Sequence, residues 1–363
     1  MDRRQLLQWL GVSVVTGGYV CRHHDSNALE KAIIRNHAYI SAAKNATGQF
    51  SIHTFNDLGQ IVQSFDVPQR GHSFATKRLE NTKSNDVVLA IGRRPANYFF
   101  ALNFSGHGNS LHTVKAQKNR RFYGHAAFHT SNELAYLTEN NLTTGQGVIG
   151  IYDIKQQFKR IGEFSSHGVG PHDIIFDAKR QCLVVANGGI HTHPSSGRKK
   201  LNLPSMRSSL SFINASTGEL MNDQYLPESF RYNSIRHLTL DKQGNVYVSL
   251  QNQKKGSQQA LLAIYHYQRD TLTVCDIPAE IQSQLNRYVG DITLDSSESI
   301  FAATSPRGNK VLIYNTQGVF LASYSLEDVC GVSKTEIANE FMLTTGKGTI
   351  LKLRYNSSNS SCI

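Results

Sequence analysis

The chain has 363 residues and a formal charge of +11, and its 38 Lys and Arg are spread along its length rather than gathered into runs with aromatics. That spread argues against nucleic acid as a partner and suits an acidic ligand or an anionic envelope surface. Five cysteines, Cys21, Cys182, Cys275, Cys330 and Cys362, are odd in number and form no CxxC, which argues against a disulfide framework or a thiolate metal site. Cys182 and Cys275 fall within apolar runs and read as small buried hydrophobes.

Residues 1–27 read as an export signal outside the fold. Arg3 and Arg4 lead directly into a modest apolar stretch ending near Val20, the pattern of a twin-arginine signal and too short for a comfortable membrane span. The expected compartment is the periplasm, with membrane attachment only through an uncleaved signal. No Ala-x-Ala cleavage site follows, and Val20 before Cys21 is a poor lipoprotein context.

Residues 28–36 suggest a short helical or extended lead-in. From His37 the pattern turns to strands, at 38–43, 49–55 and 60–67, separated by turn signals ending in Gly48 and Gly59. These make most of a propeller blade that lacks its first strand. A motif then recurs in which a histidine heads an apolar run, at His72, His125, His172 and His237. Two further copies keep the frame without the histidine, at Gly290-Asp291-Ile292 and at Cys330-Gly331-Val332. Steps of 53, 47, 65, 54 and 40 residues separate His72, His125, His172, His237, Asp291 and Gly331. That is the period of a propeller blade with loops of unequal length, the longest being an insertion at 188–207. The fold class predicted is all-β, a single β-propeller over residues 28–363 closed by the N- and C-terminal strands. Seven blades of four antiparallel strands are expected, with six as the alternative count. Radial repetition leaves only short sheet edges, which explains stability without disulfides.

In such a ring the first strand of each blade lines the axis, and its entrance shares a face with the turn between the second and third strands. His72, His125, His172 and His237 should therefore meet at one mouth of the channel. The turns around it would bring Arg93, Glu139, Asn187, His191, His193, Gln251 and Arg307. Neutral imidazole binds iron, copper, zinc and nickel, whereas calcium and magnesium select oxygen donors. The candidate metal ligands are His72, His125, His172, His237 and Glu139, with His191 and His193 as weaker candidates. Arg93, Asn187, Gln251 and Arg307 are candidates for cofactor contacts. The alternative is that each histidine merely bonds to the backbone of a neighbouring blade.

Other motifs carry no chemistry. Gly145-Gln-Gly147-Val-Ile-Gly150 matches GxGxxG but sits in a strand-to-strand turn without the helix start that a dinucleotide site needs. There is no GxSxG, Walker loop or HExxH, and Ser73 has no identifiable base, so nucleophilic catalysis is not expected.

The runs 124–128, 138–141, 145–153, 166–173, 185–194, 200–203 and 234–238, with Tyr288-Val-Gly and Thr304-Ser-Pro-Arg-Gly, resemble a bacterial family exported by the twin-arginine route. It is known as domain of unknown function fifteen-thirteen. The resemblance runs from about His72 to Gly348. It implies a propeller of the YVTN or quinoprotein-like kind, encoded beside imelysin-type iron-regulated proteins and di-haem oxidoreductases, but no established activity or ligand set. The function expected is a periplasmic, monomeric propeller that binds an iron or copper ion, or an iron-bearing ligand, as an accessory to metal acquisition. The alternatives are a metal-dependent oxidoreductase or lactonase-type enzyme, and a non-catalytic interaction platform in the envelope.

Overall fold

The computed structural model describes residues 39–357 except 79–85, 95, 106–107, 198 and 257–258. The export signal, the lead-in at 28–36, Cys21 and Cys362 lie outside the described residues. Among the described residues, twenty-six strands fall into seven antiparallel sheets, each bonded in sequence order. Blade 1 comprises β1(Tyr39–Lys44), β2(Phe50–Phe55) and β3(Ile61–Val67). Blade 2 comprises β4(Gly71–Arg78), β5(Asp86–Gly92), β6(Tyr98–Ser105) and β7(Gly108–Lys115), and blade 3 comprises β8(Arg120–Phe128), β9(Leu134–Asn141), β10(Gly147–Asp153) and β11(Lys159–Ser165). Blade 4 comprises β12(Pro171–Asp177), β13(Cys182–Asn187), β14(Ser209–Asn214) and β15(Leu220–Tyr225). Blade 5 comprises β16(Asn233–Leu240), β17(Val246–Asn252), β18(Leu262–His266) and β19(Thr271–Val274). Blade 6 comprises β20(Asp291–Leu294), β21(Ile300–Ser305), β22(Lys310–Asn315) and β23(Phe320–Ser325), and blade 7 comprises β24(Val329–Lys334), β25(Glu340–Thr345) and β26(Ile350–Arg354).

The all-β, seven-blade architecture is the one that the repeat implies. Second strands such as β13, with Leu, Val and Ala, and β21, with Ile, Phe and Ala, are buried along their whole length, because a neighbouring blade covers each face. Fourth strands such as β15 are largely open to solvent. Between blades 3 and 4 the core is Ile149, Ile151, Ile174, Leu183, Val185 and Ile213, and similar clusters fill the other junctions. The turns from third to fourth strand have a chemical signature. Asn56, Asn214 and Asn315 accept backbone amides through their side-chain oxygens, and Gly59, Gly218 and Gly318 complete the turns at φ 76°, 77° and 83°.

Only residues 68–70 link β3 to β4, as residues 116–119 link fourth strand β7 to first strand β8. The strands β1–β3 are therefore the second, third and fourth of blade 1, and among the described residues its axial strand is the missing one. Blade 7 in turn has its first three strands. Gly59 in blade 1 lies against Ile350 of β26, as Gly218 in blade 4 lies against Phe164 of blade 3, so the last blade neighbours the first. One short helix, α1(Ala279–Gln284), follows Pro278 on the way to blade 6. Among the described residues no helix is long and apolar enough to cross a membrane.

Candidate metal centre

The four repeat histidines share a backbone device. Pairing between first and second strand breaks register between Gly71 and Ser73, Phe122 and Ala126, Pro171 and Asp173, and Ile235 and Leu238. Each break holds the histidine of its blade. A bulged residue has no ladder partner, and the local kink aims its side chain away from the sheet faces, here toward the axis. Gly124 makes room for the neighbour: it adopts φ 117°, and any Cβ there would collide with the His72 ring.

The rings converge. Centroid separations are 5.0 Å for His72–His125, 5.7 Å for His72–His172, 5.0 Å for His125–His172, and 4.9 Å for both His125–His237 and His172–His237. Two groups have ligand atoms within 4.8 Å of one another, His72 with His125 and His172, and His125 with Asp173 and His237. Asp173 stands next to His172 on β12. Its Oδ1 is 3.0 Å from His125 Nδ1 and its Oδ2 is 3.9 Å from His237 Nδ1. The same carboxylate accepts the backbone amides of Ile174 at 2.8 Å and, across the blade junction, Leu238 at 3.0 Å.

These contacts fix where protons sit. Asp173 accepts from His125 Nδ1–H, which leaves Nε2 with its lone pair, and that buried Nε2 has no hydrogen-bond partner. A carboxylate behind the distal nitrogen is the usual support of a metal-ligating histidine. Arg236, beside His237 on β16, can only donate, and its Nη1 lies 3.3 Å from His172 Nδ1. Neutral His172 therefore carries its proton on Nε2, facing His237 Nε2 at 3.4 Å. That separation is also the edge of a tetrahedral site, since nitrogens bound at about 2.05 Å stand about 3.3 Å apart. A metal on His172 Nε2 requires its proton to move to Nδ1 and Arg236 to release it.

The electrostatics keep three of the rings neutral, those of His72, His172 and His237. Burial, then neighbouring histidines and the arginines Arg93 and Arg94, hold His72 well below its ordinary pKa. Burial and Arg236 do the same to His172, and burial with His125 pushes His237 down to about 3. Burial raises the Asp173 carboxyl, but His125 and His237 outweigh it and leave it below the usual range. Imidazoles gathered around one carboxylate form a donor set for a borderline transition-metal ion, and the buried His125 Nε2, without a hydrogen-bond partner, fits a place on one.

The sequence matches the family described as protein of unknown function (DUF1513) over residues 65–361. The chain belongs to that family. None of the curated proteins matches it. Among solved structures it is similar to the Kuenenia stuttgartiensis hydrazine synthase, at TM-score 0.63 and 10% identity, covering 93% of this chain and 99% of the other. At that identity the likeness concerns the fold.

The other candidates of this DUF1513 chain are placed elsewhere or differently employed. Glu139 is not in the turn. Strand β9 runs on to Asn141, and the Glu139 side chain is fully buried inside blade 3, bonded to Tyr152 Oη at 2.7 Å and Arg160 Nη2 at 2.9 Å. Asn187 is also buried, donating to Ser166 O and Ser211 Oγ at 2.8 and 2.9 Å. His193 caps a short turn through Ser195, and His191 lies against Gly145; neither belongs to the axial groups. Between them Thr192 accepts from Arg94 Nη1 at 2.8 Å, which ties the long loop across to blade 2. Gln251 does face the site, accepting from Arg236 Nη2 at 2.7 Å. Arg93 and Arg307 lie at the mouth, where both act on Tyr288 and Arg93 also acts on His72. Gly145–Gly150 is the turn and start of β10, as the hairpin reading expects. Asp173 and Arg236 were the residues that sequence reasoning did not single out, although each is adjacent to a repeat histidine.

Proposed function

We propose that this protein holds one first-row transition-metal ion, iron in first place and copper in second, on His72, His125, His172 and His237. It would serve in the periplasm as an accessory to metal acquisition. The supporting observation is that four consecutive blades each spend a β-bulge to turn one histidine to the axis, where centroids of neighbouring rings stand 4.9–5.0 Å apart. His125, supported by Asp173, offers Nε2 directly. The bound ion would supply Lewis acidity or a redox couple, and the chain's own residues hold the imidazoles neutral and oriented. The Arg3-Arg4 segment supports export, and twin-arginine routes carry proteins already folded around a cofactor. The family resemblance supports imelysin-type and di-haem envelope proteins as partners.

The test is elemental analysis of untagged protein purified from the periplasm, beside a variant with all four histidines changed to Ala. Near-stoichiometric iron or copper in the wild type, absent from a still-folded variant, is the expected result. No metal in the wild type, even after reconstitution, would reduce the histidines to blade architecture.

A further inference from the structure

The mouth above the histidines gathers several basic side chains that act on one another. Arg236 is half-buried in the channel wall, and both its hydrogen bonds go to neutral groups, Gln251 Oε1 at 2.7 Å and His172 Nδ1 at 3.3 Å. Its Nε is buried without any hydrogen-bond partner. Arg94 and Arg307 both repel the Arg236 charge, and Arg236, Arg287 and Arg307 all press on Lys200. Arg94 is spent on Thr192 and on the face of Tyr123 at 4.8 Å, and Arg307 stacks on Tyr288 at 5.0 Å. Among the described residues, none of Arg94, Arg236, Arg307 and Lys200 forms an ion pair with a carboxylate. A guanidinium taken out of water without a counter-charge is costly, and the fork of Arg236 matches planar oxyanions.

We propose that this mouth is a binding site for a small multivalent oxyanion of carboxylate or phosphate type, seated on Arg236 and flanked by Arg94, Arg307 and Lys200. The anion would accept from the idle Nε–H and neutralise charges that now repel one another. The site stands on residues other than the histidines, so it does not depend on the metal reading. It would nevertheless act on it. An anion that draws Arg236 away from His172 Nδ1 frees that nitrogen to take the proton and leaves Nε2 able to ligate. Anion and metal should therefore bind with positive coupling, each raising the other's affinity by the same factor.

The experiment is calorimetric titration of metal-free protein with citrate and, separately, inorganic phosphate, at low and moderate salt. Wild type is expected to bind at least one of the two saturably at one per chain, more weakly as salt rises. Arg236→Gln should weaken it at least tenfold, and Arg307→Gln several-fold. Citrate alone would assign a polycarboxylate, phosphate alone a phosphate-bearing ligand, and both a general oxyanion seat. No saturable binding of either at millimolar concentration, or equal affinity in Arg236→Gln, would overturn the proposal. Should Arg236→Gln not fold, exposed Arg307 and Lys200 changed together to Gln decide in its place, and unchanged affinity there counts against the site. Because the protein carries no metal in this titration, its outcome is separate from the elemental analysis.

Discussion

Glu139 in blade 3 and Asp173 on the axis are both carboxylates enclosed among basic partners, and they differ in what is left over. Glu139 is held by Tyr152 and Arg160, and Arg160 continues to Glu163, which in turn accepts from Arg120 Nε and Nη2, each at 2.7 Å. Burial pushes the Glu139 carboxyl up, yet Arg160 is held more firmly protonated than usual. The 2.9 Å contact between them is that of an ion pair, and the geometry decides for a carboxylate. Every partner in this cluster is a permanent donor or is already paired. Around Asp173 the side-chain partners are imidazoles, each with a second nitrogen, and one of those, His125 Nε2, is buried without a hydrogen-bond partner. A closed cluster is a clamp; a cluster with an unused lone pair is ready for a ligand.

The sharpest way to break this contrast is Glu139→Ala. It strands Arg160 beside a cavity inside the blade, and removing one partner of a buried ion pair costs about 3–5 kcal/mol. Denaturant unfolding should register that loss while the metal-to-protein ratio of the folded fraction stays at the wild-type value. A folded Glu139→Ala protein stripped of metal would show that the two clusters are one site. The converse is Asp173→Asn, which keeps the shape and removes the charge behind His125 and His237. Loss of such a carboxylate typically weakens metal binding about 10–100-fold, readable by competition with a chelator. An affinity within twofold of wild type would mean that Asp173 only pins the blade junction through the Ile174 and Leu238 amides.

The contrast also shows where sequence stops being informative. The four histidines were legible because a recurring frame survives loops of any length, and inner strands of a ring must converge. Asp173 and Arg236 were not, because neighbouring residues on a regular strand face opposite sides. Only the bulges at Pro171/Asp173 and Ile235/Leu238 bring each to the same mouth as its histidine. Glu139 lies away from the axial groups for the opposite reason: the strand continues regularly past it, so alternation carries it into the blade. Helix α1 had a signal in Pro278 followed by Ala, Glu and Gln, but six residues are too few for a visible period.

Acid provides the next test. Imidazoles whose pKa lies below the usual 6.5, to about 3 for His237, do not compete with metal for protons until the solution is strongly acidic. Metal should therefore remain bound at pH 5, where a site of exposed histidines would have released most of it. Dialysis against metal-free buffers from pH 7 to 4 followed by elemental analysis reads this directly, and a release midpoint near 6.5 would place the metal elsewhere. Stability without metal has the matching sign. Below 6.5 the unfolded chain takes up protons that the folded histidines refuse, so the fold is fully stabilised above that pH and weakens as it falls.

Asp291 supplies an internal control. It repeats the backbone bonding of Asp173, accepting Ile292 N at 2.9 Å in its own strand and Val332 N at 3.2 Å in the next blade. It lacks flanking histidines at salt-bridge distance. Burial raises its carboxyl to about 7, the two amides pull it back, the Asp173 charge raises it and His125 lowers it. A carboxyl raised in the fold has the opposite linkage to the histidines. Its protonated form is favoured in the folded chain, so stability is complete below 3.8, falls as pH climbs to about 7, and is level above. Asp291→Asn removes that slope. Relative to wild type, the variant should gain about 2–3 kcal/mol between pH 5 and pH 8, seen as a melting-temperature difference that moves in its favour as pH rises. A difference constant across that range would mean that Asp291 is ionised throughout, and that the amides at Ile292 and Val332 suffice to hold a charge which Asp173 needs two histidines to keep.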